Sequence, residues 1–235
     1  ASIYQRTLNA GATAQNKTYD GNTDASVVLS DDRVGGDILS LSAGDARFAS
    51  KDAGLGKAVS VNGITLSGLD AGNYVLASST ATASANINRR LLTASASGID
   101  KTYDGNSGAS VNFGDDRVNG DLLNLSGNAS FADKNAGSGK AVSVDGIALG
   151  GFDANNYRLA STSATTTANI DRRVLTVSAG GQDKVYDGGV AATVNLADNR
   201  VDGDLLDLSA SASFADKHAG NGKSVSVTGI TLGGQ

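Results

Sequence analysis

One histidine, His218, and no cysteine limit what chemistry this 235-residue sequence can do. In two earlier, similar stretches the place of His218 is taken by Asp52 and Asn135, so no role repeated along the chain can rest on an imidazole. A Ser-His-Asp triad is therefore impossible outside the last third of the chain, and disulfides and zinc-thiolate sites are excluded. We expect no enzyme and no cofactor. Asp115, Asp116 and Asp121 offer the hard oxygens that Ca²⁺ accepts. Arg117 sits among them and the spacing is not that of an EF-hand loop, so Asx-turns with an Asp–Arg pair are the competing reading. Lys101 or Lys140 with Asn169 have the residue types of an isopeptide crosslink, but no activating group accompanies them. Tyr103 and its equivalents offer a ring to a sugar; one ring per turn, with no Trp in the chain, more often seals a core edge.

The elements that must position these residues are repeated. Lys-Thr-Tyr-Asp-Gly occurs with Tyr19, Asp20 and Gly21 and again with Tyr103, Asp104 and Gly105, and a Lys-Val-Tyr-Asp-Gly copy carries Tyr186, Asp187 and Gly188. The tyrosines are 84 and then 83 residues apart, and the extra residue lies between Asp37 and Phe48, as expected of a loop insertion. Residues 1–88, 89–171 and 172–235 form three units, the third incomplete because the counterparts of its last two strands fall beyond Gln235. Each complete unit, of about 83 residues, is long enough to bury a small core. The 31 Gly and the abundance of Ser, Thr, Asn, Asp and Val, with no Glu, Pro, Met or Trp, favour short strands and tight turns over helices.

In the middle copy, alternation predicts strands at Leu91 to Ser97 and Ala109 to Phe113. Further short strands are expected at Leu122 to Leu125, Ala129 to Ala132, Lys140 to Val144, Gly146 to Leu149, Asn156 to Ala160 and Thr165 to Ile170, with Ile99 to Gly105 as a turn. Val142, Val144, Ile147 and Leu149 should point inward against Leu123, Leu125, Tyr157 and Leu159. Asp-Ala-Gly-Asn-Tyr at Tyr74 and Asp-Ala-Asn-Asn-Tyr at Tyr157 match a tyrosine corner, in which the phenol bonds back to the preceding backbone. The expected fold is therefore all-β: tandem immunoglobulin-like sandwiches forming an extended rod, with a β-grasp-like or other small all-β repeat as the alternative. The paired Arg89-Arg90 and Arg172-Arg173 should lay their stems across the adjoining unit.

Arg-x-Leu-Thr, Lys-x-Tyr-Asp-Gly, Gly-x-Gly-Lys-x-Val-Ser-Val, Gly-Ile-x-Leu-x-Gly and Asp-Ala-x-Asn-Tyr follow one another in that order. The succession resembles the YDG-type repeats of large bacterial surface proteins of the filamentous-haemagglutinin type, exported by two-partner secretion. The resemblance implies a stalk or adhesin segment at the bacterial surface, outside the cell, serving adhesion or biofilm formation, and it carries no catalytic residues. The implied partners are neighbouring repeats; the alternative is that repeats bind a host or matrix glycan or protein, or self-associate. The net charge of −5 argues against nucleic acid, and no run of 18 apolar residues exists to insert in a membrane.

Overall fold

The computed structural model describes residues 1–234. Among them there is no α-helix, only strands and two single-turn 3₁₀ helices, Ala71–Asn73 and Ala154–Asn156. By contacts the chain divides into two compact units. One holds residues 1–97, 112–128 and 144–165; the other holds 98–111, 129–143 and 166 onward.

Several short strands expected separately are continuous. Lys140 to Val144 and Gly146 to Leu149 lie in one strand, Gly137–Gly150. Val142 and Val144 are buried, and Gly146, at φ +64°, adds one step so that Ile147 returns to the buried face. Leu149 is half-buried. Ala129 to Ala132 likewise continues the strand Asn124–Phe131, with Leu122 exposed ahead of it, because nothing between Leu125 and Ala129 breaks the extended backbone. The predicted turn at Ile99 to Gly105 contains a two-residue strand, Lys101–Thr102. The extra residue of the first copy lies in a short connection, the bend at Ala43–Gly44 between two strands. It splits the strand into Ser40–Ser42 and Asp45–Phe48 at Gly44, whose N–H reaches Asn62 O (3.0 Å) and Gly63 O (3.1 Å) where the facing strand is broken too.

In the first unit, Lys17–Thr18, Ala81–Asn88, Gly54–Asn62 and Asp45–Phe48 form a four-stranded sheet in that order. Lys17 pairs in parallel with Ile87; the other pairings are antiparallel. A hairpin of Ala10–Ala14 and Val27–Asp31 lays Ala12, Val27 and Leu29 on this sheet. Between them lie Phe48, Val59, Val61, Ile64, Ala85 and Ile87, each no more than 6% exposed. Each large aliphatic so placed contributes on the order of 1.5–3 kcal/mol. Leu92, Leu123 and Tyr157 belong to the same cluster, so this core runs across a repeat boundary. Their first-copy equivalents, Leu8, Leu39 and Tyr74, form a separate small cluster.

In the second unit Lys101–Thr102 pairs in parallel with Ile170 and Asp171, and Gly108 and Ala109 pair with Ser130 and Ala129. Phe131, Val142, Ala168 and Ile170 are buried there. Val177–Gly181 pairs with Val194–Asp198, and Leu206–Phe214 with Val225–Gly234. Among the described residues from 172 on, no apolar residue is buried; Phe214, Val225 and Val227 are half-covered.

Candidate functional site

The Lys-x-Tyr-Asp-Gly turn is built the same way three times. Lys17 folds back so that its Nζ donates to Asp20 (2.8 Å) and to the carbonyl of Asn22 (2.9 Å), while lying 5.6 Å from the centroid of the Phe48 ring. Asp20 also accepts the Asn22 N–H, and Gly21 takes φ +82°, a region closed to most side chains. Lys101 with Asp104 and Phe131, and Lys184 with Asp187 and Phe214, repeat the arrangement. All three aspartates are held below the ordinary carboxylate value: at Asp20 burial is the largest single influence and opposes this, but Lys17 and the Asn22 N–H together outweigh it, and at Asp104 and Asp187 the lysine hydrogen bond leads. The turn thus fixes the backbone direction of its tyrosine.

What the tyrosine meets lies in the next repeat. Tyr19 is 1% exposed, and its hydroxyl donates to the Asp121 carboxylate (2.9 and 3.0 Å). Lys51 Nζ donates to the same hydroxyl (2.9 Å), to Asp121 (3.2 Å) and to Asp153 (3.1 Å). Tyr157 donates to Asp121 (2.5 Å) and accepts the Val118 N–H (2.8 Å). The two rings meet edge to face at 5.4 Å and 72°, a favourable quadrupole geometry. Asn156, 3% exposed, accepts the Ala53 N–H (2.8 Å). Val118 rests on Gly21, where a Cβ would approach its Cγ1 to 2.8 Å.

The electrostatics favour this closed arrangement. Asp121 is 7% exposed, and burying a carboxylate is costly unless donors replace its water. Two phenols and an ammonium do so. The Tyr19 hydroxyl hydrogen bond, ahead of Asp153 and Asp121, raises the Lys51 pKa above its ordinary value despite partial desolvation. Burial raises Tyr19 and Tyr157. Asp153 is held low, first by the Leu122 N–H and then by Lys51. The result is a hydrogen-bonded contact, one ammonium and two phenols against two carboxylates, that joins repeats.

A second junction repeats the first. Tyr103 donates to Asp204 (2.6 Å), Lys134 Nζ approaches Asp204 (3.5 Å), and Val201 rests on Gly105. In the first copy, Tyr74 donates to Asp37 and accepts the Val34 N–H (3.0 Å), but among the described residues no Tyr–Lys pair docks there. Tyr186 is 61% exposed.

The tyrosine corner does not form. Tyr74 and Tyr157 do follow a tight turn, here 3₁₀, but their hydroxyls bond Val34 and Asp37, or Val118 and Asp121, rather than the backbone just before them. The physical reason is that Asp121 and Asp37 are buried or half-buried acceptors needing a donor, while the Asp153 and Asp70 turns are satisfied by Leu122 and Ile38 N–H groups. Asp115, Asp116 and Asp121 do not converge: Asp115 grips Arg117 (2.7 Å), Asp116 caps the Thr93 N–H (2.8 Å) and Asp121 serves the junction. Among the described residues no His, Cys, Asp and Glu cluster is suited to a metal. Lys101 and Lys140 bind Asp104 and Asp133, and Asn169 binds Asp100 (2.9 Å) and the Gly139 N–H (2.7 Å), so each crosslink candidate is engaged by another partner. Arg89, Arg172 and Arg173 are exposed. His218 lies on an exposed loop. Lys51, Asp121 and Asp153 were missed as partners of Tyr19; their recurrence as Lys134, Lys217, Asp37, Asp204 and Asp70 was the available signal.

The YDG domain profile matches residues 4–83, 88–167 and 171–235, nearly the whole chain. The chain belongs to the YDG domain family. No curated protein and no solved structure is a match. In these three YDG domains the tyrosine after which the motif is named is the residue that reaches the following domain, twice, at Tyr19 and Tyr103.

Proposed function

We propose that these YDG repeats are a structural spacer, the stalk of a bacterial cell-surface adhesin, rather than a catalyst. The observation that carries this reading is the recurrence of one junction: a buried or half-buried Tyr with a Lys from one repeat, set on an Asp of the next. A spacer must keep successive repeats in a fixed relation, and a contact made of oriented hydrogen bonds fixes angle as well as distance. The finer parts of the reading are an immunoglobulin-like sandwich for each repeat, an extended array, export to the outer surface and a role in adhesion or biofilm formation. A protein free of Cys and rich in Gly, Ser and Asp suits passage across a membrane unfolded.

Small-angle scattering tests the spacer. A compact globule of this chain length has a maximum dimension of about 60 Å by size scaling. A spacer gives a clearly larger value that grows by a constant step with each added repeat. A value at the globular size overturns the stalk.

A further inference from the structure

We propose that the first repeat takes up an extended peptide strand of another protein, in an open seam between Val27–Asp31 and Ser40–Ser42. The seam comes from the way two strands meet. At one end they are joined: the Ala25 N–H reaches Ala46 O (3.0 Å) and the Phe48 N–H reaches Thr23 O (2.7 Å). Alternate residues of a strand present their N–H and C=O groups to the same edge, so Val27, Leu29 and Asp31 aim theirs the way Thr23 and Ala25 do. No strand stands opposite them. Among the described residues Val27–Asp31 pairs only with Ala10–Ala14, and Ser40–Ser42, the other wall, only with Thr65–Ser67. Each wall therefore offers an unpaired backbone edge, and an extended chain laid between them is the occupant that can use both.

The lining says what kind of strand. The seam holds a cavity of about 450 Å³, within the range of sites that bind small ligands. Val27, Leu29 and Leu41 line it half-buried, and Ala25, Ala43 and Ala46 leave room between them. A peptide with small apolar residues at every second position covers these side chains with one face, while its backbone meets the walls and its other face stays in water. Asp31 and Asp45, the carboxylates of the lining, are already paired with Arg33 and Arg47, so the seam favours an uncharged segment over a basic one.

Comparison with the middle repeat singles out this seam. There Phe113 stands at the position of Leu29, and its ring tip comes within 3.3 Å of where a Cβ on Gly127 would lie, so an aromatic ring fills the place. The first repeat has the smaller Leu29, with Ala43 at the position of Gly127 and the extra Gly44 bending the wall. Neighbouring repeats do not cover this side. The middle repeat is joined both to the repeat before it and to the one after it, yet Val111, Phe113, Leu125 and Ala129 are half-buried just as Val27, Leu29, Leu41 and Ala46 are. The proposal goes beyond the spacer reading and does not depend on it.

Amide NMR on the full chain, titrated to millimolar concentration with the peptide acetyl-Ser-Val-Thr-Ala-Ser-Val-Thr-amide, tests this. We expect saturable shifts confined to the amides of Val27–Asp31, Ser40–Ser42 and their immediate neighbours. The same peptide N-methylated at alternate residues loses its donors to one wall, and Leu29→Phe places the middle repeat's ring in the seam; each should weaken binding by about tenfold or more. Thermal melting is the folding control, and should Leu29→Phe melt unlike the parent, deletion of Gly44, which restores the middle repeat's length, takes its place. No shift at millimolar peptide, shifts that map elsewhere, equal binding of the N-methylated peptide, or unchanged binding to the folded variant overturns the proposal. So does a seam whose amides shift with the chain's own concentration before any peptide is added, because that seats a second copy there.

Discussion

Tyr19→Phe removes one oxygen from a ring that is 1% exposed and leaves its packing on Tyr157 and Phe48 intact. The lost hydroxyl donates to the Asp121 carboxylate and accepts from the Lys51 ammonium. Hydrogen bonds to charged groups are each worth about 1.5–3 kcal/mol. Because Lys51 and Tyr157 stay on Asp121, the carboxylate is not orphaned, and one such increment, about 1.5–3 kcal/mol, is the expected loss. Urea unfolding at matched pH and concentration measures it, with hydrogen exchange of the first unit's amides as a second probe, since a chain of two compact units need not unfold in one step. Tyr186→Phe supplies the comparison: the same motif with its ring 61% exposed should shift stability by less than about 0.5 kcal/mol at concentrations where the chain is monomeric. Equal losses at both positions, or none at Tyr19, would refute the assignment of the hydroxyl to Asp121.

Three further outcomes follow from the same geometry. Gly21→Ala and Gly188→Ala suffer the same left-handed strain, but only at Gly21 does the new Cβ strike a neighbour, the stiff β-branched Val118; Gly21→Ala should cost about 1 kcal/mol or more beyond Gly188→Ala in thermal or urea melts. Asp121→Ala should cost more than Tyr19→Phe, about 3–5 kcal/mol, because it strands the Lys51 ammonium and two phenols around a cavity. With pH, the raised Lys51 and Tyr19 contribute stability that is complete below their ordinary values of 10.5 and 10.0 and is lost as pH rises through their higher folded values. The lowered Asp153 contributes stability present above 3.8 and lost as pH falls through its lower folded value, so urea midpoints of Lys51→Ala and parent should differ by a constant amount between 3.8 and 10.0 and converge above.

The repeat, the all-β character and the inward face were legible because each rests on local pattern. Val142, Val144 and Ile147 are buried where alternation places them, and the Lys101 to Gly105 motif makes the turn that Asp-Gly chemistry requires. Strand lengths were less legible: Gly146 reads as a break, whereas its positive φ only shifts the parity of a continuous strand. The tyrosine corner was misread because the local motif fixes the 3₁₀ turn but not the hydroxyl's partner, which a loop 36 residues upstream supplies. The junction itself was out of reach of periodicity, since Tyr19 and Asp121 are 102 residues apart. Their covalent neighbourhoods say nothing of each other; only the return of Tyr, Lys and Asp at matching positions in every copy hints that they act together.

A double-mutant cycle between Tyr19→Phe and Asp121→Asn probes the junction most directly, because it isolates what the hydroxyl and the carboxylate do to each other. Contacting partners in one hydrogen-bond network couple by about 0.5–3 kcal/mol, and a value in the upper half of that range is expected here, with Tyr19→Phe and Asp37→Asn additive within about 0.5 kcal/mol as the control. A coupling energy of zero between Tyr19 and Asp121, with both variants folded, would contradict a junction in which the tyrosine of one YDG repeat is locked by the aspartate of the next.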